Sequence, residues 1–346
     1  MPAFFKPPFR RANHPATQLV AWLGLTLATA SQVGAQLTEP VSSEQVASLQ
    51  WPTSYRPTTT PVIQHQKSDA PAPPYLYHTR HFRLTTSKPL NPHNAKLFAA
   101  TAESVPAVLA KLPLPLLKMP QGKRANIYIY PDEASFIREG GSPNAAGTYV
   151  GKKSAVLLRA DTFLTPPPRQ GSKLPPKADY DLLVHEFTHL CMHGHLGYLP
   201  IWFSEGTAEY LAAAHQSHGR YDFSNMTRHI RDRIKQHLPQ EKGIIKLPSL
   251  SDTLKQNHQS WQRNIEQNDP NVSYQYYASS LLIVHGLFHG GPKRLKATTE
   301  FVNQCHNRKF RHKASNLLLP SETHAELEQR IITYWRPKGL HIQFTP

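Results

Sequence analysis

The segment His185-Glu186-Phe187-Thr188-His189 constrains this chain more than any other. Two histidines four apart on an α-helix lie about 40° apart round its axis and about 6 Å along it, so both imidazoles reach one ion. The segment must then be a helix, and a well-buried one. Its flanks agree: Asp179 and Asp181 supply acids for the first turn, Leu182-Leu183-Val184 lead in, and Leu190-Cys191-Met192 follow. Neutral imidazoles suit Zn²⁺, and Glu186, directly after the first histidine, lies beside the open coordination position, where it can take a proton from water. Cys191 falls about 200° round the helix from His189 and points away from that face.

A catalytic zinc needs a third protein ligand and a vacancy. Within Leu199-Pro200-Ile201-Trp202-Phe203-Ser204-Glu205-Gly206-Thr207-Ala208-Glu209-Tyr210, Pro200 suits the first turn of a new helix, and Gly194 and Gly197 can end the one before. Two helices joined by that turn bring Glu205 against the histidine pair. Glu209, four residues on, shares its face and can accept the second N–H of a ligating imidazole. The site expected is thus His185, His189 and Glu205 on Zn²⁺, with Glu186 as base and Glu209 behind.

Around this centre the chain divides by composition. Lys6, Arg10 and Arg11 precede an apolar run over residues 19–30 and small residues that fit cleavage after Ala30 or Ala35, the pattern of a removable export signal (residues 1–35). Residues 36–74 are rich in Pro, Ser and Thr and read as a linker. The remainder, 75–346, is one domain with a sheet lobe (75–177) and a helical lobe (178–346). In the first lobe, residues 75–85 read as a strand and residues 92–112 as an amphipathic helix interrupted at Pro106. Residues 125–130 form a β-branched and aromatic strand, Asp132 or Ser135 starts a short helix, and residues 148–150 and 154–159 form a hairpin round Gly151-Lys152-Lys153. A Pro- and Lys-rich exposed loop occupies 165–177, and from 178 the pattern is helical almost to the end. Strands first and helices later predict an α+β fold, a small mixed or antiparallel sheet followed by a mainly helical part.

The net charge of +16 invites a nucleic-acid reading, but the Lys and Arg are scattered, with no basic stripe interleaved with aromatics. A solvated basic surface, open to attraction by anionic envelope polymers, is the expectation. The apolar run in the first 35 residues is short and broken by Thr26 and Thr29, and Leu281-Leu282-Ile283-Val284 ends at His285-Gly286, so no stable membrane span is expected. Cys191 and Cys305 can pair in an oxidising compartment or stand as separate buried thiols. His285 and His289 repeat the histidine spacing without an acid and read as structural.

The His185-to-His189 motif followed by Trp202-Phe203-Ser204-Glu205-Gly206-Thr207-Ala208 resembles the gluzincin metallopeptidases, in particular poorly characterised bacterial members of the peptidase MA-like group. The strand over 127–130, the Gly147-Thr148-Tyr149 turn and Val156-Leu157-Leu158 are similar to that group too, so the likeness spans about residues 125–300. It implies a zincin-like helical part, Glu205 as third ligand, and hydrolysis of a peptide or protein substrate lying along an antiparallel edge strand, for which residues 154–159 are the candidate. It also implies a tyrosine donating to the oxyanion. Among Tyr274, Tyr276 and Tyr277, Tyr277 fits best, with Ser280 at the small position three places on. The Gly-x-Met-Glu-Asn signature of the aminopeptidase branch is absent before His185, which leaves endopeptidase or other amide hydrolysis open. Metzincins place a third histidine at the position of His195, but Met192 stands where that pattern needs glycine. Two other classes stay in view: a protein that holds zinc in a closed site, for instance through His193 as fourth ligand, without chemistry, and an envelope-binding module driven by positive charge alone.

Overall fold

The computed structural model describes residues 50–66, 74–122, 124–143, 145–163, 180–267, 270–307, 318 and 323–345, all within the unit Pro40–Pro346. The expected export signal, most of the flanks of the linker and the 165–177 loop lie outside the described residues. The architecture is α+β, with a mixed sheet in the first half and helices in the second.

The main sheet has six strands: β1 (Ser54–Tyr55) lies elsewhere, and β2 (Gln64–Gln66), β3 (Tyr75–His78), β4 (Phe82–Thr86), β5 (Ala125–Tyr130), β6 (Gly147–Val150) and β7 (Ala155–Arg159) run in the order β2-β3-β4-β5-β7-β6. β4 with β5 and β5 with β7 are parallel; the other pairs are antiparallel. Ala125, Ile127 and Ile129 alternate into the core along β5, while β7 is buried from Ala155 to Leu158 because it is an interior strand. The hairpin expected at 148–159 is present. Its turn is the 3-10 segment Gly151–Lys153 closed by Ser154 at φ 47°. The short helix Glu133–Arg138 is capped by the Asp132 carboxylate, which accepts from the Ser135 N–H at 2.8 Å.

Three expectations are corrected. Residues 75–85 are two strands, β3 and β4, not one. Helix Pro92–Leu109 runs through Pro106 without interruption. Burial of Phe98, Ala102, Val105 and Leu109 at helical spacing outweighs the ~3 kcal/mol that an interior proline costs. The Pro-rich stretch is not wholly linker, since among its described residues β2 extends the main sheet and β1 pairs with a later strand. Both are edge positions, where neighbouring prolines remove no ladder bond.

The second half is built on three helices. The His-Glu helix, Tyr180–Cys191, is buried continuously from Leu183 to Cys191. Its Phe187 stacks on Phe82 of β4 (5.5 Å) and meets Phe98 edge-on (5.7 Å), so one variable position of the motif pins the helix to the sheet lobe. The carboxylate helix, Ile201–Ala214, is buried along its whole length, between the His-Glu helix and the tyrosine helix, Pro270–His289. Gly206 makes the second contact possible, because a Cβ there would lie 2.4 Å from the Ser280 carbonyl oxygen. Short strands interrupt the helices, unlike the expectation: β8 (His215–Ser217) and β9 (Arg220–Asp222) form a sheet with β1, and β10 (Ile244–Pro248) runs parallel to β11 (His341–Thr345). Among the described residues no helix is long and apolar enough to cross a membrane.

His285 in the tyrosine helix is 4% exposed, packed against His289 (ring centroids 4.9 Å), Trp335 (5.1 Å) and Tyr334 (5.7 Å). Burial, with help from His289 and Lys338, pushes its pKa down to about 3. The unfolded chain therefore binds this proton below about pH 6.5 while the folded chain refuses it, and stability is full above that pH and falls below it. At about pH 4.5 the loss is about 2–3 kcal/mol. Denaturant melts of His285→Phe should show a shallower acid limb than the parent; superimposable limbs would refute the assignment.

Candidate metal centre

The two histidines and Glu205 meet at one point. His185 Nε2 and His189 Nε2 are 3.1 Å apart, and Glu205 Oε2 lies 3.2 Å from the first and 3.3 Å from the second. A tetrahedral ion with ~2.1 Å bonds spaces its ligand atoms ~3.4 Å apart. The triangle therefore matches what such an ion needs, and two imidazoles with one carboxylate are a zinc-type donor set. All three side chains are buried.

The electrostatics favour a cation at that point. Burial opposes a charge on His185, yet Glu205 and Glu209 raise its pKa to about 10. Burial would push Glu205 up, but His189 and His185 hold it at about 2. A proton and a metal ion compete for the same lone pairs in such a pocket.

Behind the triangle, Glu209 stands where expected. Its Oε1 is 2.8 Å from His185 Nδ1, which leaves Nε2 to face the other ligands. Glu209 is held in turn by Arg233, whose Nε donates to Oε2 at 2.7 Å and whose Nη2 donates to Oε1 at 3.2 Å, and by the Tyr274 hydroxyl, which donates to Oε2 at 2.8 Å. Although burial opposes it, Arg233 keeps this carboxyl well below its ordinary pKa. Arg233 escaped the sequence reading because nothing distinguishes it from Arg228, Arg231 and Lys235 on the basic helix Met226–His237. By its sequence Tyr274 stands only as a candidate oxyanion donor. Its hydroxyl is instead committed to Glu209.

The other two tyrosines both pack on Trp261 (Tyr276 at 6.0 Å, Tyr277 at 5.1 Å), and Tyr277 also stands edge-on to His185 at 5.9 Å between ring centroids. Burial and the nearby Glu205 carboxylate raise the Tyr277 pKa well above its ordinary value, so the hydroxyl stays a donor.

Glu186 is buried beside the triangle, and burial raises its pKa against the pull of His185 and His189. Its Oε2 accepts from the Tyr149 N–H at 2.6 Å. This overturns one expectation. The strand beside Glu186 is β6, and residues 154–159 are interior, since β7 has β5 on one side and β6 on the other. The two strands of the hairpin look alike in sequence, and the parallel pairing of β5 with β7 leaves β6 outside. Gly147 on β6 brings the strand close, because a Cβ there would lie 3.2 Å from Glu186 Cγ.

His193 is not part of the triangle; its Nδ1 bonds the Tyr149 hydroxyl. His195 is likewise absent from it. His285 and His289 stack on each other and join no metal-type group among the described residues. Cys191 and Cys305 are both buried, and they are not joined in a disulfide. No model of a known protein family matches this chain, and no curated protein matches it.

Proposed function

We propose that the protein is an exported zinc-dependent hydrolase of peptide bonds, a member of the gluzincin type in which glutamate is the third ligand. The observation that carries the reading is the juxtaposition of the His185, His189 and Glu205 triangle with a buried carboxylate, Glu186, that touches the outer edge of a strand. When bound, zinc supplies a Lewis acid that acidifies water and polarises a carbonyl.

The remaining work falls to the chain's own residues. Glu186 takes the proton of the attacking water and passes it to the leaving amine, a role suited to a carboxyl whose pKa burial has raised. Tyr149 points its N–H away from β7 and toward Glu186, so a peptide added along the outer edge of β6, which pairs with no further strand among the described residues, passes directly over the base. Tyr277 donates its hydroxyl to the oxygen on which charge develops. Arg233 and Tyr274 fix Glu209, and Glu209 fixes the ring of His185. Export rests on the basic and apolar pattern of the first 35 residues.

The test is a mixed peptide library incubated with zinc-loaded protein. Cleavage should stop when a chelator removes the ion and return when zinc is restored. Loaded protein that leaves every peptide whole would overturn the reading.

A further inference from the structure

A second set of metal-ligating atoms lies on the turn that joins the two ligand-bearing helices. His195 belongs to the short helix His193–Leu196, between the His-Glu helix and the carboxylate helix. Its Nδ1 is 3.7 Å from Cys305 Sγ and 3.3 Å from His306 Nε2, and all three atoms lie within 4.8 Å of one another. Cys305 caps helix Pro292–Gln304, and His306 follows it. A tetrahedral ion bonded to sulfur at ~2.3 Å and to nitrogen at ~2.05 Å sets S···N at ~3.6 Å and N···N at ~3.3 Å. The two separations from His195 Nδ1 agree with these values.

Three further features prepare these residues to coordinate. The His195 ring also lies against the backbone carbonyl of Pro115, the kind of acceptor that orients a ligating imidazole. Tyr198 packs on the His306 ring, with centroids 4.2 Å apart. Cys305 is fully buried and His195 nearly so, while His306 is half-buried and leaves one side open to solvent. The Lys118 ammonium sits 3.0 Å from His306 Nε2, on the lone pair that an ion would take. Lys118 is exposed, and apart from that contact it is held through its backbone, by its N–H to the Cys191 carbonyl (2.8 Å) and its carbonyl to the Gly194 N–H (2.9 Å), so the side chain can swing away while the backbone stays.

We propose that His195, Cys305 and His306 form a second metal site, for a thiophilic divalent ion of the zinc class, separate from the His185, His189 and Glu205 centre and independent of the peptidase reading. As the metal–sulfur bond forms, the Cys305 thiol gives its proton to solvent and Lys118 leaves with its charge. The ion ties the turn between His189 and Glu205 to the C-terminal end of helix Pro292–Gln304.

Cobalt titration of the metal-free full chain tests this. Only the second site has a sulfur ligand, so only it can give a near-ultraviolet sulfur-to-cobalt charge-transfer band. The band should reach its full height by two equivalents of Co²⁺, one for each site, and persist in Glu205→Gln and Cys191→Ser. It should vanish in Cys305→Ser and weaken at least tenfold in apparent affinity in His306→Ala, a half-exposed position whose circular dichroism should stay that of the parent. Lys118→Met should tighten Co²⁺ binding several-fold. Absence of the band in the parent chain, or its survival in Cys305→Ser, would overturn the proposal.

Discussion

Replacing Glu186 with glutamine should lower peptide turnover by about 10²–10⁴-fold, the range that a positioned general base contributes, with the zinc content of the protein unchanged. The substitution is nearly isosteric, so the side chain still fits its buried position, and the amide oxygen still accepts from the Tyr149 N–H now 2.6 Å from Oε2. What it loses is the ability to take a proton. Glu186 belongs to neither metal-type group, so the ligands are untouched. Turnover measured beside elemental analysis separates the two effects. A Glu186→Gln protein that cleaves at the parental rate would remove the base from the mechanism, and one that loses its zinc would make Glu186 a structural support of the centre.

The largest loss of stability is expected from Glu209→Ala. Glu209 is 3% exposed and joins His185 Nδ1, both Arg233 donors and the Tyr274 hydroxyl. Its removal leaves the mostly buried Arg233 guanidinium without its hydrogen-bonded counter-charge and with only the field of Asp181, a loss of about 3–5 kcal/mol when one partner of a buried pair is deleted. It also frees the His185 ring to rotate, and loss of such an orienting acceptor lowers metal affinity about 10–100-fold. Denaturant unfolding and a zinc competition assay read the two effects apart. In Glu209→Ala combined with Arg233→Met, part of the stability should return, because the stranded charge is gone, while metal affinity stays low. If Glu209→Ala binds zinc as the parent does, Glu209 does not position His185.

The centre was legible in the chain to the extent that helical geometry is local. A spacing of four places His185 and His189 together whatever the rest of the molecule does, and the same spacing puts Glu209 on the face of Glu205. The alternation in Ala125–Tyr130 and the acid before Glu133–Arg138 were legible for the same reason, since strand period and capping act over a few residues. Pro106 and the prolines of residues 50–66 misled because their cost is local while the burial and edge pairing that offset it are not.

Tyr149, Arg233 and the group around Cys305 had no such signal. Arg233 reaches Glu209 across 24 residues of chain, and Cys305 reaches His195 across 110. Which strand of the hairpin lies outside likewise depends on which neighbour β5 chooses. The order of residues alone was enough for the α+β class and for naming His185, His189 and Glu205 as one candidate group, because backbone periodicity and a short turn between two helices suffice for both. The choice of β6 as the strand beside Glu186, of Tyr274 as a prop for Glu209, and of Cys305 and His306 as neighbours of His195 came only with packing, where distant segments meet at distances that no spacing in the chain encodes.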